Sequence, residues 1–305
     1  MAQPLLCRLR ARPSGPRIEA LAPPWVAPVL RRMAQVDEVL EADLRHGELQ
    51  LGDRWRLGRR LRERGYAAAY VLPNTMKSAL APSFARIPMR VGYLGESRVG
   101  LLNRIHKAGA DREPMALHYA RLAEEPGAEP TLPLPAPALS FSKEGVAAAA
   151  ARFGIEGRYI ALCPGAEYGP AKRWPYFREL AARLDAQVVL LGSRGDLKQG
   201  EGIQGANLIG KTTLDEAIDL IAGAAAVVSN DSGLMHVAAA TGTPLVALFG
   251  SSSPEHTPPL SARARVVWLR PECSPCFERE CPLGHFKCLR ELSVERVLQE
   301  LKAFA

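Results

Sequence analysis

Residues 226–250, AVVSNDSGLMHVAAATGTPLVALFG, decide the fold. The apolar, β-branched run from Ala226 to Ser229 breaks at Asn230-Asp231-Ser232-Gly233 into the helical pattern LMHVAAAT. Gly242 and Pro244 then lead into a second apolar run, PLVALFG. The reading is strand, tight turn, helix, turn, strand. Two short strands around one helix form a parallel βαβ unit, and sheets of this kind bind ligands at the carboxyl ends of their strands. Asp231, Ser232 and Gly233 fall at such an end. The free N–H groups of a helix start attract phosphate, glycine lets the backbone come close, and a carboxylate beside the phosphate suits ribose or sugar hydroxyls. Asp and Ser are also ordinary helix caps, so these residues by themselves are equally compatible with plain capping.

The surrounding sequence repeats the pattern. KEGVAAAAARFG reads as a helix and YIALCPGA as a strand closing on Pro164-Gly165-Ala166. The helix YFRELAARL, the strands VVLLGS and NLIG, and the helix TLDEAIDLIAGA follow. Strand ends at Gly165, Ser193, Gly210, Asp231 and Gly250 therefore point the same way, in a second α/β domain. ARVVWL adds a final strand, residues 273–288 a Cys-rich loop, and SVERVLQELKAFA the last helix. Lys172 follows the strand-end glycine on the edge that carries Asp231, within reach of a pyrophosphate, although a loop lysine is often only surface. His236, one turn into the central helix, can face a ligand or pack against the sheet.

The first half also alternates: a helix over residues 3–11, strand IEALA, helix VAPVLRRM, strand VDEVL, an Arg-rich helix around WRLGRRLRERG, strand YAAAYVLP, a helix after Asn74-Thr75-Met76-Lys77-Ser78, and MRVGY. Residues 110–123 look helical. An α/β half usually opens on a strand that feeds its first helix, whereas Met1 here lands on the helix itself. EPGAEPTLPLPAPALS, with five prolines, reads as a linker. The expected organisation is a domain over 1–127, a linker over 128–141, a second domain over 142–290 and a terminal helix over 291–305.

Composition narrows the class. With 305 residues, 47% of them hydrophobic, the chain can build two real cores. No run approaches the roughly 18 apolar residues of a membrane span, and the N-terminus lacks the apolar core of a signal peptide, so a cytoplasmic location is expected. Residues 54–107 carry twelve Arg or Lys against Glu63 and Glu96 alone, which suits an anionic lipid, a membrane surface or nucleic acid. Nucleic acid is disfavoured, because aromatics make up 6% of the chain and no stacking motif accompanies the arginines.

Two familiar patterns look like decoys. Gly205-ANLI-Gly210-Lys211-Thr212 fits a phosphate loop, but its apolar residues lie between the glycines instead of before them. Gly200, Gly202 and Gly205 fit G-x-G-x-x-G without a strand in front. Cys273, Cys276, Cys281 and Cys288, with His285 among them, can surround a metal, yet the spacing lacks the paired knuckles of a zinc ribbon.

At PGAEYGPAKRWP, GSRGD, SNDSGLMHVAAATGTPLVALFGSSSPEHTPP and CSPCFERECPLGHFKCLRELSVERV, and at LPNTMKSAL and VGYLGESRVGLLN in the first half, the chain resembles the bacterial lipopolysaccharide heptosyltransferases. The resemblance implies a GT-B architecture, two Rossmann-like domains facing across a cleft. It implies an inverting transfer from ADP-heptose to the heptosyl-Kdo-lipid A inner core, at the cytoplasmic face of the inner membrane and with peripheral association. Lys172 matches the family lysine on the donor phosphates, and Asp231, Ser232, Gly233 and His236 match its D-[ST]-G-x-x-H donor motif. Gly165 and Ala166 match the first phosphate-side loop, Thr212 a position near the adenosine, and Asp196 an acidic ribose-side residue. On the acceptor side the implied residues are Asn74, Lys77 and Arg98. No Asp-x-Asp pair occurs, so no divalent cofactor is expected. Relatives open with a strand and a loop of the type PSWVGDMVMAQPLL, whose Asp is taken as general base. This chain starts at the equivalent of MAQPLL, so that carboxylate and the first strand are expected to be missing and turnover by the chain as written to be impaired. The rival readings are a P-loop NTPase using Lys211 and a non-catalytic nucleotide-sugar or lipid-core binding protein.

Overall fold

The computed structural model describes every residue except His46, Ala110, Asp111 and Ala305. The chain forms two compact units, one of Met1–Arg31 with Gln35–Pro135 and one of Arg32–Ala34 with Ala136–Ala305. The break after Pro135 falls within the Pro-rich stretch.

The first unit contains α1 (Gln3–Arg10), β1 (Glu19–Ala22), α2 (Ala27–Arg31), β2 (Glu38–Glu41), α3 (Leu51–Glu63) and β3 (Ala68–Val71). A 3₁₀ turn, Met76–Ala79, then leads into α4 (Leu80–Phe84), β4 (Met89–Tyr93), β5 (Arg104–His106) and α5 (Met115–Ala120). Helix α3 places Asp53 in its first turn and Arg60 and Arg62 in its last, matching its macrodipole, and buries Gly58 and Leu61. The helix expected over 110–123 is confined to Met115–Ala120 and a 3₁₀ turn, with Pro114 at its N-cap; Ala110 and Asp111 lie outside the described residues. All pairing in the unit is parallel, but it falls into two sheets, β1-β2 and β3-β4-β5. Among the described residues β1 and β3 share no ladder. Both strands are correspondingly half-exposed, and Leu21 in β1 keeps 40% of its surface.

The second unit contains α6 (Lys143–Arg152), β6 (Tyr159–Cys163), α7 (Phe177–Ala181), β7 (Gln187–Leu190), β8 (Ala206–Asn207) and α8 (Leu214–Gly223). It continues with β9 (Ala226–Asn230), α9 (Gly233–Thr241), β10 (Leu245–Phe249), β11 (Ala264–Trp268), α10 (Lys287–Arg290) and α11 (Val294–Lys302). Its six strands form one parallel sheet in the order β11-β10-β9-β6-β7-β8, the doubly wound arrangement whose strand order reverses between β6 and β9. Every residue of β9 and β10 is buried, as a parallel strand covered on both faces requires. Residues such as Val228, Val246 and Leu248 are wholly inaccessible, each contributing about 1.5–3 kcal/mol of burial. Helix α8 starts on a reciprocal capping box between Thr213 and Glu216. Helix α9 stops at Gly242, whose left-handed φ of 73° no branched residue adopts easily. The register sets Cys163 beside Ser229 and Leu248 beside Asn230, so the carboxyl ends of β6, β9 and β10 lie level. Everything that follows these strands is delivered to one edge.

Candidate active site

The loop after β6 comes first at that edge. A Cβ on Gly165 would lie 2.2 Å from Cγ of Asp196, so the glycine is required by close approach. The Asp196 carboxylate is itself engaged: its Oδ2 accepts from the Ser193 amide at 3.0 Å and the Ser193 hydroxyl at 2.7 Å, closing the turn at Arg194–Gly200. Asp196 thus packs against the loop after β6 while closing its own turn.

Next, the 3₁₀ turn Pro170–Lys172 delivers Lys172. The turn is stitched on both sides, by the Ala171 amide donating to the Arg279 carbonyl at 3.1 Å and the Ser251 amide to the Ala171 carbonyl at 3.2 Å. Lys172 Nζ lies 2.5 Å from Asp231 Oδ2 and 4.7 Å from the centre of the Tyr168 ring. The two charged side chains are 14% and 4% exposed. A lysine so oriented is a positioned charge and not a surface tether.

Asp231 follows directly on β9, which ends at Asn230. The Ser232 side chain makes no cap hydrogen bond to α9. The Asp231 carboxylate goes to Lys172, to the Ser252 hydroxyl at 2.6 Å and to the Thr257 hydroxyl at 3.3 Å. The first N–H groups of α9 therefore have no side-chain cap, and a Cβ built on Gly233 meets no atom within 4 Å. A helix start in this state is suited to an anion. His236 is half-buried one turn on; burial lowers its pKa, favouring the neutral imidazole. Thr212 lies in the turn before α8, half-buried.

Three residues at this edge were given no role by the sequence. Asn230, fully buried, accepts from the Trp174 amide at 3.1 Å and donates to the Pro164 carbonyl at 2.8 Å, tying the Gly165 loop to the Lys172 loop. Ser252 and Thr257 follow β10, and only their arrival at the same sheet edge as Gly165 marks them out.

In the first unit, Asn74, Lys77 and Arg98 lie around the loops after β3 and β4. Arg98 does not present its charge: it is fully buried and donates to the carbonyls of Pro73, at 2.6 Å, and Tyr93, and to Asn74 Oδ1 at 3.3 Å. An arginine in a Gly-rich loop reads as surface, but this one orders the loop that carries Asn74. Arg62 and Arg64 are also committed internally, to the Phe84 carbonyl and to Glu19 and Glu38, as is Arg90, to the Leu101 and Ile87 carbonyls. Arg59 and Arg60 remain exposed.

Strand β8 lies between Gly205 and Gly210, and Lys211 donates its amine to the Asn207 carbonyl at 2.8 Å, so no phosphate cradle forms. The six cysteines are free thiols, and among the described residues no group of three or more His, Cys, Asp or Glu is placed to hold a metal. The Cys-rich loop instead buttresses the site, through the Arg279 contact above and the Phe277 amide donating to the Ser251 carbonyl at 2.7 Å.

The chain is similar to known proteins over nearly its whole length. Lipopolysaccharide heptosyltransferase 2 of Escherichia coli (strain K12) is 44% identical over 326 residues, covering 99% of this chain and 94% of the relative. Lipooligosaccharide heptosyltransferase 2 of Haemophilus influenzae is 40% identical over the same shares. The solved structure of E. coli ADP-heptose LPS heptosyltransferase II superposes with a TM-score of 0.88 at 41% identity, covering 99% of this chain and 93% of that one. The family model for glycosyltransferase family 9 (heptosyltransferase) matches residues 54–287, and the chain belongs to that family.

Proposed function

We propose that the protein transfers a heptose from ADP-heptose to the heptosyl-Kdo-lipid A inner core of lipopolysaccharide, with inversion. The observation that carries this reading is the Lys172–Asp231 pair beside the uncapped start of α9, at the point where the strand order of the second unit reverses. An acceptor hydroxyl attacks the anomeric carbon and gives up its proton to water, the bond from that carbon to the diphosphate oxygen breaks, and ADP leaves. Negative charge grows on the leaving phosphate, where Lys172 and the α9 amides stabilise it. Asp231 accepts from donor hydroxyls, and Gly165 and Ala166 allow close approach of the phosphates, with Thr212 toward the adenosine. The named activities of the relatives, both heptosyltransferases, support the donor and acceptor classes.

On the first unit, Asn74 and Lys77 form the acceptor side, and the exposed Arg59 and Arg60 favour an anionic inner core and peripheral attachment to the cytoplasmic face of the inner membrane. Among the described residues no helix is long and apolar enough to cross a membrane. The test is product formation from ADP-heptose and inner-core acceptor by the full chain, followed by mass spectrometry, with and without a chelator. Transfer that persists in the chelator and falls at least a hundredfold in both Lys172→Ala and Asp231→Ala supports the reading. Unchanged transfer in either variant would sink it.

A further inference from the structure

Asp231 is held by more partners than a donor-binding carboxylate needs for burial alone. Its side chain is 4% exposed, and Oδ2 receives both Lys172 Nζ at 2.5 Å and Ser252 Oγ at 2.6 Å. Thr257 Oγ1 stands between the two carboxylate oxygens, 3.3 Å from Oδ2 and 3.4 Å from Oδ1. The same hydroxyl lies 3.3 Å from the Ser253 carbonyl, so its single proton has two acceptors within reach. The loop that carries both hydroxyls is fixed, through Ser251 to Ala171 and Phe277 and through the His256 and Thr257 amides to the Ser253 carbonyl at 3.1 and 3.0 Å.

This arrangement bears on how a nucleotide sugar is taken up. In the structure Lys172 is spent on Asp231, yet the proposed chemistry needs it on a phosphate. If Lys172 alone satisfied Asp231, its departure would strand a buried carboxylate next to an incoming anion. Hydroxyl donors remove that obstacle. They bond the carboxylate without bringing a charge that would follow the ligand, and charge-assisted bonds of this kind are the stronger ones.

We propose that Ser252 and Thr257 are positioning residues of the donor site, holding the Asp231 carboxylate in place and sharing its charge so that Lys172 can pass from Asp231 to a phosphate of the nucleotide sugar. This inference rests on the donor-site reading above. Ser252 is the standing donor and Thr257 the reserve, since a 3.3 Å contact is long for an O–H···O bond and shortens only when the hydroxyl leaves the Ser253 carbonyl.

The experiment is calorimetry of ADP-heptose binding to the full chain, which needs no turnover, with each variant's melting temperature recorded. Ser252→Ala is expected to weaken binding about tenfold or more, the scale of a hydrogen bond to a charged group, and Thr257→Val about threefold. Ser252→Thr, which keeps the hydroxyl, is expected to bind within about threefold of wild type. The deciding measurement is a double-mutant cycle: in an Asp231→Asn background Ser252→Ala should cost nothing further, because its effect runs through the carboxylate. Loss of the same size in both backgrounds would show a merely structural serine and overturn the proposal, as would full affinity in Ser252→Ala. If Asp231→Asn and Lys172→Met both bind ADP-heptose like wild type, the donor-site reading fails and the proposal with it, a pattern distinct from an additive cycle.

Discussion

Replacing Lys172 by methionine keeps the length of the side chain and removes its charge. The lysine and its partner are 14% and 4% exposed, so the pair is buried and its rupture leaves a carboxylate with two hydroxyl donors in place of three partners. Removing one partner of a buried pair typically costs about 3–5 kcal/mol, and the surviving Ser252 bond places this case at about 3. For a domain the size of the second unit that corresponds to a fall in melting temperature of roughly 6–12 °C. Ligand binding suffers twice, through loss of the phosphate's counter-charge and through exposure of the phosphate to Asp231. At an effective dielectric constant of about 20, two unit charges 4 Å apart interact by about 4 kcal/mol, so a net loss of roughly 2–4 kcal/mol is expected after screening. Dissociation constants should rise about 30- to 1000-fold, measured by calorimetry with ADP. The Lys172→Met/Asp231→Asn double variant separates the two effects, since it should recover melting temperature without recovering affinity. Wild-type ADP affinity in Lys172→Met, in a protein that still melts cooperatively, would refute the reasoning.

Asn230→Ala should leave the Trp174 amide and the Pro164 carbonyl buried without partners; at about 1–3 kcal/mol each, the variant should melt at least about 5 °C lower and bind ADP more weakly, as scanning calorimetry and titration would show. Arg59→Ala/Arg60→Ala should weaken sedimentation with anionic vesicles at about 0.1 M salt, where charges beyond about 10 Å are screened, and leave the melting temperature within about 2 °C. Arg98→Ala should do the reverse, lowering the melting temperature through loss of its buried carbonyl contacts while vesicle binding persists. Burial lowers the His236 pKa below the ordinary 6.5, so protonation favours the unfolded chain: the stability this residue contributes is complete above pH 6.5 and is lost as pH falls below it. His236→Gln should flatten the fall in melting temperature between pH 7.5 and 5; an identical pH profile in the variant would contradict it.

The sequence was legible where burial is symmetrical. Strands β9 and β10 are covered on both faces, which forces an uninterrupted apolar run, and the helix between them ends at a glycine that its geometry requires. Strand β5, Arg104–His106, has no such run, and β8 has two residues, so neither periodicity nor composition delimits them. Site residues were legible where one loop contains the whole pattern, as in Asp231-Ser232-Gly233. They were not where a partner comes from far along the chain: Ser252 and Thr257 reach Asp231 across 21 and 26 residues. Charged residues were the least readable, because their type does not say whether the charge is presented or consumed. Arg98 is buried against the carbonyls of its own loops, and Asp196 Oδ2 accepts from the amide and hydroxyl of Ser193, neither of which the residue type announces.

That difference also explains how a single sheet edge serves both stability and binding. Asp196 Oδ2 closes the turn at Ser193, and Asn230 ties the Pro164 carbonyl to the Trp174 amide, so the loops are fixed by the protein's own bonds. Lys172, Asp231 and the start of α9 are incomplete by comparison. The helix lacks a side-chain cap, and the lysine is held by a carboxylate that has other donors in reserve. A serine or aspartate turned back to cap α9 would stabilise the helix by about 1 kcal/mol and would occupy the amides that a phosphate needs. On the proposed donor site a phosphate would take up the α9 amides that no side chain caps, while the bonds of Asn230 and Asp196 hold the surrounding loops in place.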